Sequence, residues 1–133
     1  MSDIVIIGGI NIDIEGYPYR ELKYQDSHPG KISIAYGGVG RNIAENAARM
    51  GADVAMVSVI GSDELGRGAK AHLKSLGVDV SLVREIPNTG SAIYLSILNE
   101  KRDMELGMCD MEIIENLTPE FLKDNIGIFE EAK

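Results

Sequence analysis

The 133-residue chain contains one cysteine, Cys109, and no tryptophan. A lone cysteine excludes an internal disulfide framework and a cysteine-rich metal site, and it fits a reducing compartment. Aromatic residues make up only 5% of the chain, so a core drawn from its 44% of hydrophobic residues must be mainly aliphatic. Basic residues are also scarce, with 13 against 21 acidic ones and a formal net charge of −8. Because such a surface cannot neutralise a row of phosphates, we expect no nucleic-acid partner.

No apolar run approaches the length needed to span a bilayer, so we expect no membrane partner. The opening residues Met1 to Val5 include an acid where a signal peptide carries basic residues. The two histidines, His28 and His72, have no cysteine or histidine neighbours at metal-ligand spacing, so no metal site is predicted. The length allows one domain at most. These observations together predict a cytoplasmic protein.

Two short apolar runs predict strands that are buried on both faces, as in parallel sheets. One covers residues 4–7 and is followed by Gly8, and the other covers residues 54–60 and is followed by Gly61. The segment between them ends in a predicted helix over residues 41–50. This strand–crossover–helix–strand order predicts an α/β fold, to which the handedness rule for such units applies.

The predicted helix over residues 41–50 has Ile43, Ala47 and Met50 on one face, and Gly51 ends it.

Two more helices are predicted further along. One spans residues 63–76 and is capped by Ser62 or Asp63. The closing helix spans residues 118–131 and is capped by Thr118.

Two segments depart from the α/β pattern and predict antiparallel hairpins. Residues 14–36 contain a turn at residues 27–30 followed by alternating apolar and polar positions. Residues 91–98 and 104–108 flank a polar turn. We expect the two hairpins to form a small sheet attached to the α/β body.

The glycine-rich run at residues 37–40 carries the clearest functional signal. Gly37, Gly38 and Gly40 open directly into the predicted helix, so backbone N–H groups can approach a ligand with no Cβ in the way. The partly positive helix N-terminus points at the same place. The run predicts a site for a polar small molecule, although by itself a tight turn before a helix explains it equally well.

Several segments in one order resemble the ribokinase-like (PfkB) sugar kinases. They are Gly8 to Asp13 and residues 37–61, with Gly66 after them. Residues 27–30 and 109–111 make the chain most similar to the pseudouridine kinases of that family. The resemblance implies a three-layer α/β/α fold with a mostly parallel sheet and a small β-sheet lid, of which this chain is the N-terminal half.

The resemblance also implies which residues hold the substrate. Asp13 would accept hydrogen bonds from sugar hydroxyls and Asn11 would support it. Gly37 and Gly38 would offer backbone amides to the ribose, and Asn42 would hydrogen-bond a sugar hydroxyl. The family transfers the γ-phosphate of ATP to a sugar hydroxyl, which in pseudouridine kinases is the 5′-hydroxyl of the nucleoside.

Segments 14–36 and 91–107 would form the lid, which in many relatives also pairs with a second subunit, so a homodimer through the lid strands is expected.

One feature of the family is missing from the sequence. The Gly-Ala-Gly-Asp motif, which supplies the general base and phosphoryl-binding amides, does not occur in these 133 residues. The resemblance implies that this motif, and most of the site for ATP with its Mg²⁺, belong to an absent C-terminal half. No catalytic residue is therefore assigned in this chain, which by itself would not turn over. A non-catalytic nucleoside- or sugar-binding module and a self-associating fragment stay open as alternatives.

Other residues carry two interpretations each. Asp13 by itself reads as a turn or cap residue, but a place at the carboxyl end of a buried parallel strand favours a ligand role. Arg41 reads as a solvated helix-start residue rather than a ligand contact, and His72 as a packed histidine rather than a catalyst. Cys109 and Met111 either approach the base of a nucleoside or pack at a strand end.

Overall fold

The computed structural model describes residues 2–132. Seven strands and four helices follow each other along this part of the chain, with one 3-10 turn. In order they are β1 (Ile4–Ile7), β2 (Asn11–Pro18), β3 (Gly30–Gly37), α1 (Val39–Arg49), β4 (Val54–Gly61), α2 (Glu64–Ser75), β5 (Val83–Ile86), β6 (Ala92–Leu98), β7 (Met104–Asp110), the 3-10 turn (Glu112–Asn116), α3 (Pro119–Asp124) and α4 (Gly127–Glu130).

The first sheet is parallel and has the strand order β1-β4-β5. Its central strand, β4, is buried along its whole length, as the apolar run predicts. The same prediction is wrong for β1, where Ile4 and Ile7 are 40% and 47% exposed. β1 is an edge strand in which only Ile6 lies in the core; Ile7 points to the opposite face and Ile4 opens the strand.

Helices α1 and α2 pack on one face of the parallel sheet, and the 3-10 turn packs on the other. Met56 and Ile60 of β4 share the main apolar cluster with Ala44 of α1 and Leu73 of α2. On the opposite face, Val59 of β4 packs with Ala92 and Ile113. Because neighbouring residues of a strand point to opposite faces, β4 contributes to both clusters. Helices on one face of the sheet and the 3-10 turn on the other give the predicted α/β class.

The second sheet has four strands in the order β3-β2-β6-β7. β2 pairs with β3 and β6 pairs with β7 in antiparallel hairpins, and β2 and β6 join the hairpins as a parallel pair. Both predicted hairpins are therefore present and form one sheet. This sheet has one strand more than the parallel sheet, although a small attachment was expected.

One face of the four-stranded sheet is mainly apolar, with Asp110 at the end of β7 as an acidic exception. Its inner part, including Ile12, Ile14 and Tyr36, packs on the main core. Further out, register partners place more apolar side chains on the same face. These exposed residues form what we call the outer apolar patch: Ile32, Ile34, Leu95, Leu106 and Met108.

Asp63, and not Ser62, is the residue that caps the N-terminus of helix α2. The Gly66 amide donates to Asp63 Oδ1 over 2.8 Å, and the Ser91 amide donates to Asp63 Oδ2 over 2.6 Å. Ser91 Oγ in turn accepts from the Gly61 amide over 3.0 Å. The cap therefore ties α2 to the end of β4 and to the residue preceding β6.

Gly51 follows the C-cap residue of helix α1 and, as predicted, terminates the helix, with a positive φ of 92°. Its buried face differs from the predicted one, because Ile43 is 51% and Met50 is 87% exposed. The buried residues are Gly40, Arg41 and Ala44. A Cβ on Gly40 would lie 2.9 Å from Gly8 Cα, so this close backbone approach turns the glycine side of the helix inward.

The closing helix starts as predicted, with the Phe121 amide donating to Thr118 Oγ1 over 3.2 Å. It is not continuous to residue 131, because it breaks into α3 and α4 at Asn125 and Ile126. The Asn125 side chain donates back to the Phe121 carbonyl over 2.7 Å, and its backbone amide bonds Leu122 in a tighter turn. Within residues 2–132, no helix is both long and apolar enough to cross a membrane.

Candidate functional site

Four of the predicted substrate-binding residues lie together where the two sheets meet. The sequence had predicted that Asp13 lies at the carboxyl end of the first parallel strand. That strand, β1, ends at Ile7, and both Asn11 and Asp13 belong to β2. Asn11 is the register partner of Gly37, the last residue of β3, and Gly38 follows directly before α1. The strand alternation places Asn11 and Asp13 on the same face.

The Asn11 and Asp13 side chains form a fixed pair. Asn11 Nδ2 donates to Asp13 Oδ1 over 2.6 Å, which orients the carboxylate. The half-buried Asp13 carboxylate sits over the backbone of Gly37, where a Cβ would overlap it. Gly37 is therefore required for the carboxylate to reach this position.

Gly38 has a φ of 100°, a conformation that side-chain-bearing residues rarely adopt. A Cβ there would lie 2.9 Å from Asn11 Oδ1. The Gly8–Gly9 turn supports this geometry from below, since the Gly9 carbonyl accepts from the Arg41 amide over 3.3 Å. At the predicted glycine-rich loop, the backbone of Gly38 therefore packs closely against Gly9 and Asn11, beside the Asp13 carboxylate.

Asn42 lies in the first turn of α1, where its backbone amide donates to the Gly38 carbonyl over 2.8 Å. Its exposed side chain faces Arg41, whose Nη1 donates to Asn42 Oδ1 over 2.9 Å. All five predicted residues are therefore within one compact segment of the fold.

Arg41 is the residue that sequence reasoning misjudged. It is only 7% exposed, and not a solvated helix-start residue. Its Nη2 forms an ion pair with Glu45 and lies 3.1 Å from Nδ1 of His72 on α2. His72 also packs against the Tyr36 ring at 5.5 Å, which confirms it as a packed histidine.

Glu45 carries the negative charge of this cluster. The hydrogen bond from Arg49 lowers the pKa of Glu45, and although burial opposes this, the charges of Arg41 and Arg49 lower it further. The carboxylate is therefore ionised at neutral pH. A single carboxylate thus balances two guanidinium groups, one buried and one exposed.

Tyr94 of β6 stands directly beside Asp13 in the register, and Cys109 of β7 stands beside Tyr94. The three side chains therefore share one face of the four-stranded sheet. Sequence reasoning did not select Tyr94. Once the register of β2 with β6 is known, the alternation of side chains in β6 places Tyr94 on the same face as Asp13. Cys109 is exposed in this row, whereas Met111 packs against the cluster of Val59 and Ala92.

Residues 1–133 match the profile of the pfkB family carbohydrate kinases. The chain belongs to this family. Pseudouridine kinase of Escherichia coli strain K12 is 38% identical to it over 130 residues, covering 98% of this pfkB chain and 42% of that protein. The resemblance to pseudouridine kinases found in the sequence is thereby confirmed.

Solved structures show the same ribokinase-like fold in this pfkB chain. A protein described as a sugar kinase from Clostridium perfringens superposes with a TM-score of 0.90 at 32% identity, over 99% of this chain and 42% of that one. Arabidopsis thaliana ribokinase, solved in complex with ribose and ATP, superposes with a TM-score of 0.73 at 21% identity, over 82% and 36%. The chain therefore spans less than half the length of these relatives.

Proposed function

We propose that this pfkB family chain is the N-terminal, substrate-binding part of one ribokinase-like domain. The whole domain would transfer the γ-phosphate of ATP to the 5′-hydroxyl of pseudouridine. The observation that carries the proposal is the Asn11–Asp13 pair held over Gly37 and Gly38. The similarity to a pseudouridine kinase supports the choice of substrate.

Asp13 would hold the ribose through its hydroxyl groups. An ionised carboxylate only accepts hydrogen bonds, and its two oxygens can serve two hydroxyl donors. Asn11 already occupies one side of Oδ1, so the carboxylate cannot rotate freely when the sugar arrives. Backbone amides at Gly37 and Gly38, together with the Asn42 side chain, would complete the ribose contacts.

The four-stranded sheet would serve as the lid, with segments 14–36 and 91–107 closing over the bound sugar. The face that carries Asp13 and Tyr94 would be the substrate side. Closure would exclude water, which protects the phosphoryl donor from hydrolysis and strengthens the polar contacts inside.

The phosphate chemistry would depend on residues beyond this sequence. Gly-Ala-Gly-Asp does not occur in it. Within residues 2–132, no three histidine, cysteine, aspartate or glutamate side chains are grouped to hold a metal ion. The described residues therefore do not fit Mg²⁺, and we assign the general base, the metal and most of the ATP site to additional chain. Bound Mg²⁺ would balance phosphate charge during transfer.

The outer apolar patch supports a homodimer through the lid strands. Ile32, Leu106 and Met108 are each at least 60% exposed on the face opposite the proposed substrate side. A second copy would remove this apolar surface from water. We also propose a cytoplasmic location, which the single cysteine supports.

The proposal is tested by sequencing the gene beyond the codon for Lys133 and expressing the complete reading frame. We expect a Gly-Ala-Gly-Asp motif in the downstream sequence. We also expect ATP-dependent phosphorylation of pseudouridine, with a higher kcat/KM for pseudouridine than for ribose. A stop codon directly after Lys133 would contradict the kinase. Nucleoside binding by the 133-residue chain without ATP turnover would then support the non-catalytic binding module.

A further inference from the structure

The Arg41 cluster contains an unexplained feature: a buried guanidinium beside the proposed sugar site. Burying a charge is costly unless it is paired and hydrogen-bonded. Arg41 Nη1 and Nη2 have partners, while its buried Nε has none among the described residues. A helix that only had to pack here could use an apolar residue. The reason for a charged residue at this position therefore lies in the groups that the guanidinium contacts.

The contact between Arg41 and Asn42 decides how the Asn42 amide is oriented. A guanidinium has only donors, so the atom of Asn42 at 2.9 Å from Nη1 must be the carbonyl oxygen Oδ1. The Nδ2 group of Asn42, with its two N–H donors, is therefore directed away from Arg41. One lone pair of Oδ1 is then occupied by Arg41, and both Nδ2 donors of Asn42 stay available to a substrate.

The contact between Arg41 and His72 holds the guanidinium itself. Arg41 Nη2 lies 3.1 Å from His72 Nδ1 and, because a guanidinium has only donors, Nδ1 is the acceptor of this contact. Glu45 binds the same Nη2 and is one helical turn away. Two partners on separate helices therefore fix the orientation of the group that orients Asn42.

We propose that Arg41 is a positioning residue that orients the Asn42 amide so that its Nδ2 donors face the substrate. This inference rests on the proposed function, because Asn42 matters for binding only if the sugar occupies the site. A sugar hydroxyl that donates to the acceptor Asp13 can at the same time accept from Asn42 Nδ2. The site thereby pairs an acceptor and a donor against one polyol edge.

The first test needs no ligand. In the 133-residue chain labelled with ¹⁵N, we expect the Asn42 side-chain amide resonances to be shifted from their free-amide positions. Arg41→Met should return them toward those positions, and Arg41→Lys should do so in part. Arg49→Met is the matched control, since Arg49 also pairs with Glu45 but its bond is at an exposed position. Unchanged Asn42 resonances in Arg41→Met would overturn the proposal.

The second test measures coupling in the complete gene product. We expect Arg41→Met to weaken pseudouridine binding about tenfold, and Arg49→Met less than twofold. In an Asn42→Ala background, Arg41→Met should have almost no further effect, because the residue it positions is gone. Additive losses would show that Arg41 acts through the general fold, and would overturn the inference. If the unsubstituted protein binds no pseudouridine, the proposed function fails while the resonance test still decides the role of Arg41.

Where Arg41→Met does not fold, the comparison of Arg41→Lys with Arg49→Lys gives the same decision. The lysine at position 41 keeps the charge and one donor but loses the planar fork. We then expect a partial shift of the Asn42 resonances for Arg41→Lys and none for Arg49→Lys. Equal spectra for the two lysine variants would contradict the proposal.

Discussion

Strands β4 and β7 behave in opposite ways. Every residue of β4 is buried, whereas every residue of β7 is exposed. β4 is the centre of a sheet covered on both faces, and β7 is the outer edge of a sheet that is covered only at its inner end. The difference shows that the α/β body is stabilised by its own core. The outer half of the four-stranded sheet has apolar surface for which the described residues provide no cover.

The largest effect should come from deleting a β4 side chain. We expect Ile60→Ala, which empties a fully buried position, to lower the free energy of unfolding by about 2–5 kcal/mol. Leu106→Ala in the outer apolar patch removes a similar side chain and should cost less than about 0.5 kcal/mol. Urea unfolding of both variants measures the contrast. Equal losses in the free energy of unfolding for the two variants would show that side-chain packing at Leu106 contributes as much stability as packing at Ile60, and would contradict the contrast.

The next largest effect concerns the junction between the sheets. We expect Asp13→Ala to weaken sugar or nucleoside binding by about 1.5–3 kcal/mol, because the substrate hydroxyls lose a charged acceptor. Glu15→Gln, further out on the same face of β2, is the control and should change affinity less than about threefold, or 0.7 kcal/mol. Titration calorimetry on the complete gene product measures both. A larger loss for Glu15→Gln would move the site outward along the sheet.

A moderate effect is expected at Asp63, which connects the two sheets through Ser91. Burial raises the pKa of Asp63, but hydrogen bonds from the Gly66 and Ser91 amides outweigh it and hold this pKa below its ordinary 3.8. Since the folded pKa is depressed, the stabilisation is fully present above pH 3.8 and is lost as pH falls through the folded value. Asp63→Asn keeps one acceptor oxygen but puts an Nδ2 donor against the other N–H group, so it should cost about 1–2 kcal/mol at pH 7 and progressively less in acid. Thermal unfolding between pH 2.5 and 7 measures it, and a pH-independent cost would contradict this account.

The smallest effect on stability is expected from the outer apolar patch. Met108→Ser should change the free energy of unfolding of the monomer by less than about 0.5 kcal/mol, because Met108 is already 64% exposed. The same change should weaken self-association, which sedimentation velocity measures. Met50→Ser, at an exposed residue that follows α1 and lies outside the four-stranded sheet, is the matched control. A dimer unaffected by Met108→Ser would place the interface elsewhere.

Local patterns were enough to predict much of the fold. The glycine pair before α1, the caps at Asp63 and Thr118, and both hairpins depend on residues close in sequence. The wrong predictions depend on contacts that are distant or on backbone detail. The face of α1 is set by the approach of Gly40 to Gly8, which no hydrophobic pattern reveals.

The candidate site divides in the same way. The family motifs selected Asn11, Asp13 and the glycines, and the structure places them together. Arg41 could not be recognised, because its partner His72 lies 31 positions away on another helix. Tyr94 became visible only through the register of β2 with β6. The position of a side chain that is set by a contact distant in sequence cannot be predicted from the residues near it in the chain.

The pairing of β2 with β6 also has a consequence for the order of folding. Asn11 and its partner Ala92 are 81 positions apart (92 − 11), so this pair closes a very long loop. Non-local parallel pairing of this kind is slow. During synthesis the β2–β3 hairpin emerges long before β6, and one edge of β2 stays open until residue 98 has left the ribosome. The strand that carries the proposed sugar carboxylate therefore reaches its final neighbours late, after the α/β body that supports it has had time to form.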